Sequence, residues 1–437
     1  MIDGILCIYH YSVRKSAHNV IEHIFAFRKY SRYPVWYVNT EFGFPAALEK
    51  MRFRVILLHY SLFGSLEYKL NRQFYDYLES CEQSYKVIFF QDEYYYCRQR
   101  FAFLNKYKID CIYSCLEPQY YKDVYFKYTD IRNIIYTIPG YVGDDLLADA
   151  SVYTKPDEER SIDIGYRGRR LPFFTGKGAQ EKSQIALLFR ERAKHLGLKL
   201  DIETDENQRI YGKNWSKFLA DCRACLGTEA GVSIFDLEDR VRGECDAVMA
   251  ENPDITFEEL YEKVLYQYED NIPYRTISPR HFEAAAFRVC QILYEGNYSG
   301  VMKPDVHYIP LKKDFSNFDE VIQKYQDKTL RKRIVDTAYQ DLIASGKYHY
   351  QHFIQEFDQE LDKHVTLQPV TEKQVRKIQR LLDSGLLWRK APVYFKYYLF
   401  KDFPGRKWIV YLIYPFLKPL HEFYRAQKAK KQHNQII

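Results

Sequence analysis

A chain of 437 residues, 46% of them hydrophobic and 28% charged, can bury a sizeable core and has room for two or three domains. That composition excludes a disordered chain, a collagen-like repeat and a small disulfide-stapled scaffold. The formal charge of +6 is uneven: from Arg389 onward eleven Lys or Arg face only Asp402 and Glu422, a net +9, which leaves the first 388 residues at −3. A basic footprint confined to one end points to a partner of that end rather than to a property of the whole chain.

The start, "MIDGILCIYHYS", has one short apolar run with no basic lead and no small-residue cleavage site, so the expectation is a cytoplasmic protein. Up to residue 150, short apolar runs alternate with helical stretches. The runs are "GILCIYHY", "PVWYVNT", "RVILLHYSLF", "KVIFFQD", "IDCIYSCL" and "NIIYTIPGY". They are continuous rather than alternating in polarity, as strands covered on both faces should be. Between them, "SAHNVIEHIFAFRKY" and "YKLNRQFYDYLESC" repeat apolar residues at three and four. This predicts a parallel sheet wrapped by helices over 1–150.

The polar stretch 144–161 reads as a linker, and a second α/β series follows over 160–345. Its expected strands are "SIDIGYRG", "LKLDIE", "GVSIF" and "QILYEG", with helices at "EKSQIALLFRERAKHLG" and "WSKFLADCRACLG". Residues 236–272 are charged and helical and read as an insertion beside the site. Residues 346–437 supply C-terminal helices and a basic, aromatic tail. The fold class is therefore α/β, two Rossmann-like domains facing a cleft, with C-terminal helices.

Nine scattered cysteines, often inside apolar runs, predict free and mostly buried thiols. Cys111/Cys115 and Cys222/Cys225 are the close pairs, and without a second pair of ligands packing outweighs zinc. No metal and no cofactor is expected.

The stretch "SPRHFEAAAFRVCQIL" carries the chemistry. Ser278 can cap a helix, Pro279 fits its first position, and Phe282, Ala285, Ala286 and Val289 share one buried face. Arg280 and Glu283 serve no packing need there. The first turn of a helix offers unpaired N–H groups to a phosphate, and Arg280 adds a charged fork. Glu283 would repel a phosphate but suits a neutral diol such as a ribose. Phosphate and ribose together make a nucleotide.

With "HYIPLKKD" after it, this stretch resembles the C-terminal domain of CgeB-like glycosyltransferases, close to the family-four retaining glycosyltransferases of the two-Rossmann GT-B fold. "TIPGYV" at 137–142 is similar to the turn that closes the first domain in those enzymes. The resemblance implies transfer of a sugar, with retention, from a nucleoside diphosphate sugar to a hydroxyl of a surface glycan or a lipid-linked glycan. It places the ribose on Glu283 and the diphosphate on Arg280 with Arg169 and Lys177. Family-four enzymes carry a second Glu eight residues before the first; here that residue is Arg275.

Several other residues enter as candidates. "GYRGRRLPFFTGKGAQEK" follows the first strand of the second domain, so Arg167, Arg169, Arg170, Lys177 and Lys182 can reach its C-terminal edge, unless the stretch is a solvated loop. Cations there stabilise a leaving phosphate without a metal. In "LGTEAGVSIFD", Glu229 between Gly227 and Gly231 is a candidate sugar ligand or part of a plain turn. On the first domain, His10, His59, Asp92 and Glu93 sit at strand ends on the acceptor side, with Asp92 or Glu93 as the base or acceptor-binding carboxylate.

The tail interleaves aromatics with Lys and Arg. Its longest uncharged run, "WIVYLIYPFL", is half of what a bilayer-spanning helix needs, so the tail lies on an anionic membrane surface or packs back on the first domain. Nucleic acid is not expected as a partner. Two rival functions remain in view: a nucleotide-sugar epimerase or hydrolase, and a non-catalytic surface-assembly protein on the same fold.

Overall fold

The computed structural model describes residues 1–12 and 18–401. Most of the basic tail therefore lies outside the described residues. In chain order the elements are β1 Ile2–Tyr9, α1 His18–Tyr30, β2 Val35–Asn39, β3 Phe53–Leu58, α2 Arg72–Ser80, β4 Tyr85–Phe89, α3 Cys97–Lys106, β5 Cys111–Ser114, β6 Asn133–Tyr136 and α4 Asp144–Tyr153. They continue with β7 Ile162–Arg167, α5 Lys177–Ala193, β8 Leu200–Glu203, α6 Lys213–Asp221, β9 Cys222–Gly227, β10 Ala230–Val232, α7 Val241–Glu251, α8 Phe257–Lys263 and β11 Tyr274–Thr276. The last are α9 Pro279–Ala286, β12 Cys290–Tyr294, β13 Ile309–Leu311, α10 Phe318–Gln326, α11 Lys328–Tyr339, α12 Tyr350–Asp362, α13 Glu372–Leu382 and α14 Leu386–Lys401.

Two Rossmann-like domains face each other, followed by C-terminal helices. The first sheet is parallel throughout, in the order β2-β1-β3-β4-β5-β6. Its strands are apolar on both faces because helices cover both. Leu6, Ile8, Ile56 and Leu58 pack to one side, while Ile5, Cys7, Val55 and Leu57 pack to the other. The second sheet is also parallel, in the order β13-β12-β9-β7-β8. In both sheets the strand order reverses beside the first strand, and ligand crevices open at such points, outside the carboxyl ends of the strands.

Three expected elements differ: the stretch 144–161, expected as a linker, holds helix α4, which packs on α6 and α9 through Leu146, Leu147 and Ala150. "CRACLG", expected to continue a helix, is β9, a central strand: Cys222, Ala224 and Leu226 alternate inward once the helical period ends at Asp221. "GVSIF" is not a sheet strand; β10 forms an antiparallel ribbon with β11 instead.

The chain crosses between domains twice at one place. Val142 pairs with the backbone of Tyr348 and Tyr350, so the outgoing and returning segments run side by side. After the return, α12 packs on α1 and under the first sheet through Phe353, Ile354 and Phe357. α13 follows along the β2 edge, where the Trp36 indole donates to the Val375 carbonyl at 3.1 Å. All nine cysteines are free thiols; Cys225 is half-buried and the others are buried. Among the described residues, no helix is long and apolar enough to cross a membrane.

Candidate active site between the domains

The loop after β4 carries Asp92 into the space between the sheets. Both Asp92 and Tyr96, the residue preceding α3, adopt left-handed backbone conformations, φ 52° and 55°. Each costs a non-glycine residue about 1–2 kcal/mol, so the surroundings must impose it. They do so from several directions. The Gln91 side chain donates to the Pro139 carbonyl, and the buried Arg100 guanidinium donates to the carbonyls of Glu93 and Tyr95. From the other domain, the Asp236 N–H donates to the Tyr94 carbonyl at 2.8 Å.

Glu93 is turned the opposite way and is wholly buried. Its carboxylate accepts from the hydroxyls of Ser114, Tyr125 and Tyr274 and from the Cys115 N–H. Tyr274 belongs to the second domain, so Glu93 is a tie between domains and does not reach the cleft. Asp92 alone of the two expected carboxylates is exposed there. Burial by the walls pushes its pKa up, and the cations Lys182, Arg169 and Arg100 pull it back.

The facing wall belongs to the second domain. Arg169 follows β7, and Lys182 stands one and a half turns into α5. Neither side chain makes a hydrogen bond or ion pair with another described residue. Burial brings the Lys182 pKa down to about 8; Asp92 raises it, and Arg169, Arg275 and Arg280 lower it further. A half-buried lysine whose charge is opposed by neighbouring guanidinium groups would gain from an anion beside it.

Next to it, the cap of α9 forms as expected, with the Ser278 hydroxyl accepting from the Arg280 N–H at 3.4 Å. The Arg280 guanidinium lies 5.0 Å from the Trp215 ring centroid and donates to the Arg167 carbonyl. The Trp215 indole donates in turn to Glu283 at 2.7 Å. Arg280, Trp215 and Glu283 thus form one panel at the helix start. Nothing in the sequence reading singled out Trp215; its signal was a lone Trp at the start of a helix entering the sheet edge.

The remaining candidates are placed elsewhere. Arg167 is buried and consumed by structure: it pairs with Asp201 at 2.8 Å, bonds three carbonyls and lies over Phe218. The structure also separates Lys177 from Arg169. The Lys177 ammonium sits 3.9 Å from the Tyr261 centroid on the insertion, and the Lys177 backbone N–H donates to Glu269 at 3.2 Å. Five residues of helix turn a side chain by about 140°, so Lys177 and Lys182 cannot face the same way.

Glu229 is buried and holds a turn by accepting the N–H groups of Asn297 and Tyr298 at 3.1 and 2.9 Å. Arg275 is paired bidentately with Glu181 at 3.0 and 3.2 Å, and Lys313 joins the same carboxylate. The guanidinium lies over Gly178, where a Cβ would come within 2.1 Å of it.

On the acceptor edge, His10 ends β1 half-buried, within 3.1 Å of the Thr40 hydroxyl and 3.4 Å of Glu41. His59 is fully buried instead. Its Nε2 meets His23 Nδ1 at 2.9 Å inside an aromatic cluster, and burial holds both imidazoles neutral.

No protein-family model matches the chain, and no curated protein matches it in sequence. Solved structures do. One is TarM, 11% identical, covering 69% of this chain and 53% of that one, TM-score 0.38. Another is an alpha-glucosyltransferase in complex with UDP-glucose and DNA containing an abasic site, 12% identical, covering 82% and 99%, TM-score 0.46. A third is Anabaena Alr3699/HepE in complex with UDP-glucose, 10% identical, covering 82% and 99%, TM-score 0.44. The chain spans about half the length of TarM and nearly all of the other two. Likeness at this level leaves the chemistry to be argued from the site itself.

A further set of contacts holds the two walls in place. Helix α3 begins without a side-chain cap of its own. Asp239 of the second domain caps it instead, accepting from the N–H groups of Cys97 and Arg98 at 2.7 and 3.0 Å. Three residues earlier, Asp236 accepts from the first N–H groups of α7. One short segment therefore closes helix ends in both domains, and the Asp92 loop lies directly before the helix it caps.

Proposed function

We propose that the protein is a glycosyltransferase of the GT-B type, moving a sugar from a nucleoside diphosphate sugar to a hydroxyl of a surface glycan or a lipid-linked glycan. The observation that carries this reading is the pairing of two unpartnered cations, Arg169 and Lys182, with the exposed Asp92 across the cleft. Cations on one wall suit a diphosphate, and a carboxylate on the other suits a hydroxyl.

In this reading Glu283, beside the Trp215 indole, takes the ribose hydroxyls, and Arg280 with Arg169 and Lys182 takes the diphosphate. The acceptor oxygen bonds to the anomeric carbon as the bond from that carbon to the diphosphate oxygen breaks. The acceptor proton passes to Asp92 or to the departing phosphate. Three protein cations carry the charge that builds on the leaving group, so the transfer calls for no metal. Retention at the anomeric carbon follows from the family resemblance. His10 lies on the acceptor side. The reaction belongs in the cytoplasm, at the inner face of a membrane that the basic tail contacts.

The test is turnover. Released nucleoside diphosphate is measured from UDP-, GDP- and dTDP-sugars with glycan and lipid-linked acceptors, for the wild type and Asp92→Asn. The expected result is release that depends on acceptor and falls by roughly 10²–10⁴-fold in the variant. Equal release by both proteins would remove Asp92 from the reaction.

A further inference from the structure

Among the described residues, helix α14 leaves one side uncovered. Its inner side docks on residues 40–43: Arg389 donates to the Gly43 carbonyl at 3.3 Å, Phe42 stacks on Tyr394, and the Lys390 ammonium lies 5.1 Å from the Phe42 centroid. On the outer side Leu387 is 83% exposed, Trp388 84% and Phe395 68%. At 3.6 residues per turn these three and Ala391 fall within about 100° of arc, a single apolar stripe. A stripe with so much open apolar surface needs an occupant.

Charge identifies it. Arg389 and Lys390 are engaged on the inner side, but nine further Lys or Arg follow in the sequence between 396 and 431 against Asp402 and Glu422, a net +7. A Trp at the edge of an exposed apolar stripe, with a run of cations following in the sequence, fits the interface of an anionic bilayer, where such a ring sits at headgroup depth and cations meet the lipid phosphates. The base of the helix also opens into a cavity of about 230 Å³. Phe25, Tyr37 and Phe42 line it on one side and Arg28 and Arg389 on another, and it reaches Tyr9 and Asn39 at the carboxyl ends of β1 and β2. That is the edge that carries His10 and Glu41.

We infer that the outer face of α14 is a docking surface for an anionic lipid bilayer, and that a lipid-borne acceptor enters along the adjoining cavity toward the ends of β1 and β2. This deepens the function proposed above, and only the acceptor route rests on it.

The full-length protein is tested by co-sedimentation with vesicles of phosphatidylcholine alone and of phosphatidylcholine with about one-third phosphatidylglycerol, without any donor. The wild type should bind the anionic vesicles at least about tenfold better, and lose that advantage between about 0.1 M and 1 M salt. L387E/F395E and Trp388→Glu should each weaken binding about tenfold or more, with unchanged melting temperature. All three positions are exposed, so folding is not at risk. Equal binding to both vesicles, or variants that bind as the wild type does, would overturn the inference. So would a concentration-dependent dimer that the same variants dissociate, since the stripe would then serve a second copy. Nucleotide binding is read separately and without vesicles, so a failure of the docking surface is distinguishable from a failure of the donor site.

Discussion

Lys182 makes the most exacting prediction. Its pKa of about 8 against an ordinary 10.5 means that burial and three neighbouring guanidinium groups hold a proton there at a cost. A shift of this size corresponds to as much as about 3 kcal/mol, which solvent at the partly open cleft reduces to the order of 1–3 kcal/mol. Lys182→Met should therefore raise the stability of the unliganded protein by about 1–3 kcal/mol while removing most of its affinity for a nucleoside diphosphate. The pH dependence gives the sign. Below about pH 8 the ammonium is present to hold the proposed diphosphate; above it the group is neutral, so binding should weaken as pH rises. By about pH 9 only one molecule in roughly ten keeps the charge, and affinity should be about tenfold below its neutral value. Isothermal titration with nucleoside diphosphates across this range measures it, with Lys182→Arg as the reference that keeps its charge throughout. Parallel pH profiles for the wild type and Lys182→Arg, or a Lys182→Met protein less stable than the wild type, would refute the reasoning.

Glu93→Gln should cost about 1–3 kcal/mol in urea unfolding, because an amide N–H₂ must then face one of the donors that now point at the carboxylate; activity per folded molecule should survive. Asp239→Ala should cost about 1–2 kcal/mol by uncapping α3 and should raise the KM for acceptor by loosening the Asp92 loop; Asn, which keeps one acceptor oxygen, should restore about half of the stability. Burial lowers the His23 pKa to about 3, so the folded state refuses a proton that the unfolded chain takes near pH 6.5. Relative to His23→Phe, the wild type should lose about 1.4 kcal/mol per pH unit as pH falls below about 6.5, read by unfolding at each pH. A constant difference between the two proteins would show that the buried imidazole is not the titrating group.

The architecture was legible because doubly covered strands leave continuous apolar runs, and the cap and buried face of α9 are local. β9 was not, because "CRACLG" is short and sits directly on a helix end, where a strand and one more turn share the same apolar count. Of the residues proposed for the site, Asp92, Arg169, Arg280 and Glu283 stand out in the sequence by residue type and position. The choice between Lys177 and Lys182 could not be made, since it depends on where α5 begins and hence on helical phase. Glu93 and His59 show the same limit in another form: adjacent positions at a strand end point to opposite sides, and only the packed fold says which is inward. The cap that Asp239 places on α3 joins residues some 140 positions apart, and no local pattern announces it.

The central claim, a nucleotide held by Glu283 at the start of α9 and by the cations beside it, is tested most directly by thermal shift with UDP, GDP, dTDP, CMP and their sugars, comparing the wild type with Glu283→Ala. A ligand at about 100 times its dissociation constant stabilises by roughly 2.7 kcal/mol, a readable shift. The account predicts a shift with one nucleoside diphosphate that disappears in the variant. A shift of equal size in both proteins, or none with any nucleotide in either, would contradict it.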